Sequence, residues 1–501
     1  MHPLRAGSGS MIVIRSRTEG PSKEGNAVSI NSDIEAEREL AKFGYKQELK
    51  RAMNVWELTA FGVNYMIPIA PAIIFGFVLA DSGGTVALPY VLAGIGMLFT
   101  AGSYSVMVRN YPLAGSLYNY VTRGLQPHIG FLSGWVLLLD YVLIPTVTAA
   151  SAAIYIGQFI PQVPYAIWLV VFAIAMGMLN LFGVELMAKL GIWMVIVGEA
   201  VVFIALFVWG YAVAVHHIGT GTLFTAEPFH FSSIGALMTA TSLSVLSYLG
   251  FDAITTLAEE SHHPKRDIPR AIYFSVAIGM LTMFLTGYFG MLVIPDWREH
   301  INNITWASTA LMQVSRIAGG PAFAGFYTAG YLLAMGVFNV VATAAGARLL
   351  YGMGRDNLIP KKVFAAINKR WQTPHWNIVL IVVMEYILGM AMNVNNISNL
   401  INYGALLGFA MLNLAVIWLY YVKRKGVGPV KLGEPASWRP EAKDWFRYFL
   451  APALGFIVIM WVFSSLDHLS LEVGTTWLVI GIIYTAFKTK GFREKPPELE
   501  L

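Results

Sequence analysis

The chain has 501 residues, of which 56% are hydrophobic and 13% charged, against about 25% charged in a typical soluble protein. That balance excludes an ordinary soluble domain. The formal net charge of +5 marks no nucleic-acid patch, because the basic residues follow the loops between apolar segments. The absence of cysteine excludes disulfides, thiolate metal sites and cysteine nucleophiles.

Residues 1–50 are rich in Ser, Glu, Lys and Gly and lack an apolar stretch long enough to span a bilayer. They read as a mobile cytoplasmic tail, with part of IEAERELAKFGYKQELKRA helical, since it mixes good helix formers with both signs of charge. Met11 is an alternative start. Twelve apolar windows then follow, at about 53–80, 87–108, 129–159, 164–184, 191–215, 233–257, 270–294, 320–346, 376–394, 398–421, 446–465 and 473–488. Windows of this kind suit helices crossing a hydrocarbon core ~30 Å thick. With the N-terminus inside, 32 of the 34 lysines and arginines fall in cytoplasmic segments, and only Arg298 and Arg316 fall outside. The basic residues therefore place both termini in the cytoplasm of a plasma (inner) membrane protein.

Two windows carry a break signal near their middle. In the first, Pro68 and Pro71 lie three residues apart, and proline removes a backbone donor and clashes one turn back. In the sixth, Gly250 stands two residues before Asp252. The two broken windows are five apart, the pattern of two five-helix halves with inverted topology. The expected fold is thus all-α and integral to the membrane, with twelve spanning helices in a 5+5 inverted repeat. The transporter-type domain covers 51–490, with repeats at about 53–215 and 233–421, extra helices within 446–488, and a C-terminal tail at 489–501.

A charge at the bilayer centre costs at least ~2.5–3.5 kcal/mol, so each buried acid needs a reason. Asp252 leads. If an α-helix resumes after Gly250, Thr255, Thr256 and Glu259 share its face. A cationic substrate or a proton can neutralise the charge of Asp252 there. Asp140, with Tyr141 beside it, is the second candidate for the cavity. Glu199 in the fifth window is a candidate proton relay or cation site, and Glu385 in the ninth reads as structural or interfacial. Glu259 and Glu260 read as a cytoplasmic gate or rim ion pair with Lys265, Arg266 or Arg270. Aromatic residues such as Tyr104, Trp135 and Tyr403 read mostly as packing, whereas Tyr65 and Tyr248 flank the breaks. An aromatic face over a bound ammonium adds a cation–π term of ~0.5–2 kcal/mol.

Four stretches carry a family resemblance: YPLAGSLYNYVTRGLQPHIGFLSGWVLLLDYVLIP at 111–145, SYLGFDAITTLAEESHHPKRDIPRAI at 247–272, ARLLYGMGRDNLIPKKVFAAINKRWQTPHWN at 347–377, and YFLAPALGFIVIMWVF at 448–463 with IIYTAFKTKGFREKPP at 482–497. Over roughly residues 50–497 the chain resembles the amino acid–polyamine–organocation transporter superfamily, in particular its bacterial putrescine importers. The resemblance implies a twelve-helix secondary transporter, commonly proton-driven, with substrate held between the broken first and sixth helices. By match, Met66, Ile67, Pro68 and Ile69 form one unwound substrate segment, and Ser247, Tyr248 and Gly250 its counterpart. Asp252 falls on the family's substrate or proton carboxylate, and Asp140 on an acid of the putrescine-importer branch. Two acids across a cavity suit a diamine.

The segment from Met66 to Pro71 lacks the hydroxyl that many superfamily members use near an α-carboxylate, which favours a simple amine. Where some members carry a fifth-helix lysine, this chain has Gly198 next to Glu199. The coupling ion is therefore left open between proton and sodium, the latter with Thr343 as one ligand. The expected function is proton-coupled import of a polyamine, with a small molecule, the proton and the lipid bilayer as partners. No nucleic acid, cofactor or resident metal is expected. The alternative is an amino-acid or monoamine permease or exchanger. A remote alternative is a transporter-like membrane sensor. The sequence holds no phosphate-binding loop, metal-ligand cluster or nucleophile–base arrangement, so an enzyme is not expected.

Overall fold

The computed structural model describes residues 51–494, apart from 52, 67–68, 112–116, 182–183, 259, 301, 356–358, 369–370, 372 and 424–441, together with residue 496. The tail at 1–50 and most of the segment after 494 lie outside the described residues. Among the described residues the fold is all helical, and its sole strand-like feature is an isolated parallel bridge between Met53 and Ser261.

The elements that build the bundle are α1 (Val55–Met66), α2 (Pro71–Ser82), α3 (Ala87–Asn110), α4 (Pro127–Phe159), α5 (Tyr165–Leu181), α6 (Val184–His216), α7 (Ile234–Ser244), α8 (Pro264–Val293), α9 (Ala310–Arg355), α10 (His375–Ala391), α11 (Val394–Ile417), α12 (Ala451–Ser464) and α13 (His468–Lys488). Nine helical stretches among the described residues are long and apolar enough to cross a membrane, and α1 with α2, bent by 60°, passes the same test as a pair. The windows at 164–184 and 376–394 appear as α5 and α10, each 17 residues long. At 1.5 Å per residue these reach about 25 Å, somewhat short of the hydrocarbon thickness. The ninth window was read too long at its C-terminal end: α10 stops at Ala391, and Asn393 caps α11 by accepting from Asn396 N.

The local chemistry explains several boundaries. Pro71 opens α2, where its missing N–H is no loss. Pro127 does the same for α4. Gly320 sits at φ 77° just before Pro321 and bends α9, so the eighth window begins at a real kink.

α4 is the central strut, packing against α5, α9, α10, α11 and α13. The broken elements pack beside it, α1 on α8, α2 on α7 and α9. The outer faces of α6, α10, α12 and α13 expose Phe203, Phe207, Val383, Ile387, Trp461 and Ile483, as expected where lipid replaces water.

The last helix is held by two aromatic side chains lying on glycines. Trp135 of α4 stacks on Trp477 of α13 at 4.6 Å, with rings inclined by 16°. Each indole N–H donates to the other's carbonyl, at 2.9 and 3.0 Å. A Cβ on Gly481 would lie 2.4 Å from Trp135 Cδ1, and one on Gly474 would lie 2.4 Å from Tyr403 Cγ. Gly481→Leu therefore overpacks this contact, at a cost of ~1–3 kcal/mol. The expected result is a lower melting temperature for the purified protein in detergent; an unchanged transition would contradict the packing argument.

Candidate functional site

The two breaks meet in space. Gly250 adopts φ +111°, and a Cβ there would lie 2.3 Å from Tyr65 Cδ1 and 2.8 Å from Tyr65 O. Only glycine allows the second broken segment to lie this close to the end of α1. After α7 the chain runs as a short 3-10 turn, Val245–Tyr248, passes through extended Leu249, and resumes as a second 3-10 helix, Phe251–Leu257. Carbonyls freed by such a break need partners in a low-dielectric interior. Asn402 of α11 supplies them, donating from Nδ2 to Ser242 O at 2.8 Å and to Leu243 O at 3.2 Å.

Asp252 opens the second 3-10 helix. Tyr104 of α3 donates its hydroxyl to Asp252 Oδ2 at 3.2 Å. The Tyr104 ring packs edge-on against Tyr120, Phe251 and Phe409, which fixes the donor. Asp140, from the middle of α4, lies within range of the charge on Asp252. Its Oδ1 is buried and has no hydrogen-bond partner among the described residues. Tyr65 and Tyr141 both lie within range of the two carboxylates. Tyr65 also meets Phe338 edge-on at 6.2 Å. The structure thus brings Tyr65 against Gly250, two residues before Asp252, and leaves Asp140 and Tyr141 of α4 within electrostatic reach of them.

Beside this group runs a narrow pocket lined by Met66, Ala70 and Ile73 from the first broken helix, Ile144 and Val147 from α4, Leu246 and Leu249 before Gly250, and Met335 and Phe338 from α9. Its lining is entirely apolar. The N-terminus of α2 adjoins it, and Ala70 provides no side-chain cap there.

The other predicted site residues are distributed as follows. Met66 and Ile69 are buried, while Ile67, Pro68 and Glu259 lie outside the described residues. Ser247 and Tyr248 are fully buried. Tyr248 directs its hydroxyl to Tyr90 O at 2.6 Å, so its polar end is engaged with α3. Glu199 of α6 has a buried Oε1 without a hydrogen bond among the described residues. Glu385 is fully buried and accepts from Asn339 Nδ2 at 3.2 Å and from Thr343 Oγ1 at 3.4 Å. Thr343 is therefore directed at α10, where the sequence suggested a sodium ligand facing the first helix.

The face predicted from Asp252 needs correction. In a 3-10 helix residues three apart eclipse, so Thr255 stays with Asp252 and donates to Asp252 O at 2.7 Å. Thr256 turns away and is exposed. At the rim, Arg266 pairs with neighbouring Asp267 at 2.8 Å, and Arg270 is exposed. The Glu260 region is strapped by backbone: Met53 N donates to Glu260 O at 3.0 Å, and His262 N donates to Met53 O at 3.3 Å. Arg51 Nη1 adds a bond to Ser261 O at 2.7 Å. Outside the bundle, the exposed groups of Asp296, Glu299 and His300 come within 4.8 Å of one another, a solvated cluster remote from the breaks in sequence.

Sequence reasoning missed Asn402 and the role of Tyr104. Asn402 had a usable signal, an amide in an otherwise apolar window. Tyr104 had none, because it is one of several tyrosines in the spans.

Broken helices that meet around carboxylates inside an apolar bundle define a membrane permease, and the chain belongs to the amino acid permease family, whose sequence model matches residues 58–467. It is 31% identical over 458 residues to the low-affinity putrescine importer PlaP of Escherichia coli, covering 90% of this chain and 97% of that protein. It is 23% identical over 478 residues to the branched-chain amino acid permease BcaP of Bacillus subtilis, covering 90% and 96%. It is 24% identical over 470 residues to the methylthioribose transporter of the same organism, covering 89% and 95%. The chain is accordingly a multi-pass membrane transporter of a small molecule and not an enzyme.

Removing the Tyr104 hydroxyl takes one donor from Asp252 while leaving the ring packing. A hydrogen bond of this kind contributes roughly 1 kcal/mol. Tyr104→Phe is thus expected to fold normally and to weaken substrate affinity about fivefold in an uptake assay. Unaltered affinity would remove Tyr104 from the site.

Proposed function

We propose that the chain is a secondary active transporter that imports a small organic cation, a polyamine such as putrescine, by proton symport through alternating access. The observation that carries this reading is that the α4 turn after Asp140 shares one pocket, through Ile144 and Val147, with Met66 and Ala70 of the first broken helix and Leu249 next to Gly250, while Asp140 keeps a buried oxygen without a hydrogen bond among the described residues. A diamine offers one ammonium to each acid, Asp140 and Asp252, and the apolar pocket, now only about 20 Å³, would widen to take the methylene chain. Tyr65 stands where its ring can face an ammonium. The printed name of the E. coli relative supports the same substrate class.

In this reading the nine long stretches, the broken pair α1–α2 and the two shorter helices α5 and α10 make twelve spans. The inverted repeats cover about 53–215 and 233–421. Both termini are cytoplasmic in the plasma membrane, as the lysine and arginine distribution suggests. Asp252 and Glu199 are the candidates for proton coupling, and the strap from Arg51 and Met53 to Glu260–His262 lies at the cytoplasmic gate.

One observation favours a second reading. The N-terminus of α2 beside the pocket has no side-chain cap and carries the positive end of a helix dipole, which attracts a carboxylate, although Pro71 has no N–H and Ala72 and Ile73 donate theirs to Ile69 O and Ala70 O. An amino-acid permease or exchanger would use that feature, and the branched-chain relatives support it.

Uptake of radiolabelled putrescine into proteoliposomes with an imposed inward proton gradient separates the two. Gradient-dependent accumulation competed by diamines, and lost in Asp252→Asn, is the expected result. Competition by α-amino acids alone, or full activity in Asp252→Asn, would reject the polyamine reading or the role of Asp252 respectively.

A further inference from the structure

Three helices meet at a polar junction that the permease site itself does not use. In α4, Pro145 lacks the N–H that would bond Tyr141 O. α9 closes over this point through Gly346, where a Cβ would lie 2.9 Å from Tyr141 O. Two turns earlier on the same face, Asn339 reaches α4. Its Nδ2 donates to Pro145 O at 2.9 Å and approaches Thr148 Oγ1 at 3.1 Å. The same amide nitrogen reaches Glu385 Oε2 of α10 at 3.2 Å, and Thr343 donates to Glu385 Oε1 at 3.4 Å. Asn339, Thr343 and Glu385 are all fully buried.

We propose that Asn339, Thr343 and Glu385 are positioning residues that hold α4 at Pro145 and thereby set the direction in which Asp140 and Tyr141 face the second break. Asp140 and Tyr141 occupy the turn just before Pro145, where Tyr141 O lacks its helical N–H, and Pro145 O is held from α9 by Asn339. Asn339 carries two N–H groups for three acceptors on two helices, so α4 and α10 are tied through one side chain. Glu385 takes no part in holding substrate; its carboxyl oxygens are occupied by Asn339 and Thr343. A buried polar junction whose members satisfy one another rigidifies the elements it joins. The functional consequence rests on the reading of Asp140 as a substrate acid, whereas the junction itself does not.

The chain has no native cysteine, so a single Ile144→Cys reports on the turn at Pro145. Ile144 lines the apolar pocket next to Pro145. The rate of its modification by a small methanethiosulfonate reagent in membranes is compared across junction variants. Thr343→Val removes one hydroxyl at constant shape, and Glu385→Gln keeps the shape and an acceptor for Asn339. The proposal expects Thr343→Val and Asn339→Ala to change the rate at least threefold, with Glu385→Gln within twofold of the parent. Parent-like rates in both Thr343→Val and Asn339→Ala, with monodisperse protein, would overturn it.

Uptake supplies the second readout. Positioning expects a raised KM in Thr343→Val and parent-like accumulation in Glu385→Gln. Loss of gradient-driven accumulation in Glu385→Gln with counterflow intact would make Glu385 an ion-coupling group and overturn the assignment. If the parent protein accumulates no diamine, the polyamine reading fails, while the labelling rates still decide the junction.

Discussion

The whole bundle is organised around the difficulty of keeping carboxylates and broken backbone inside an apolar medium. Lipid offers no hydrogen bonds, so every freed carbonyl and every buried acid must be answered from within the protein. At the second break the answers come from distant helices: Asn402 takes the carbonyls at the end of α7, and Tyr104 takes one oxygen of Asp252. Among the described residues Asp140 is left with an unpartnered buried oxygen. In the proposed reading, that open acid near the pocket is answered by a ligand that brings the missing charge.

This division between satisfied and open groups assigns different work to different helices. α4 contributes Asp140 near its middle, yet most of its length is engaged with α5, α9, α10, α11 and α13. The Trp135–Trp477 pair binds it to the last helix, and the Asn339–Glu385 junction binds it to α9 and α10. The segments around the breaks are short, α1 and α2 having 12 residues each. α1 touches the second break through Tyr65 and Gly250, and the backbone strap joins Met53, just before α1, to Glu260 and His262. In the proposed reading, a frame around two discontinuous helices suits transport by alternating exposure.

Much of this was legible in the amino-acid sequence because its cause is local. Charge-free windows predict helices, and Pro71 and Gly250 mark the breaks by their own backbone chemistry. Asp252 and Asp140 stand out because a charge in such a window is expensive. The pairings were not legible because they join residues far apart in the chain: Tyr104 and Asp252 are separated by 148 positions, and Asn402 and Ser242 by 160. The 3-10 geometry after Gly250 was also hidden, since a polar face at spacing three and four reads as an α-helix until the hydrogen bonds are seen. That is why Thr256 reads as sharing the face of Asp252, whereas among the described residues Thr255 alone remains there. Glu385 reads as structural from its window, but its partners on α9 and their tie to Pro145 of α4 could only come from the fold.

In the proposed reading, Asp140 and Asp252 act together on one ligand. The most direct measurement is equilibrium binding of radiolabelled putrescine to the purified protein, carried through the cycle of Asp140→Asn, Asp252→Asn and the double variant. The account predicts that each single change weakens binding at least tenfold, and that the double change weakens it by less than the product of the two. Binding unaltered in both single variants, with each protein folded, would contradict it.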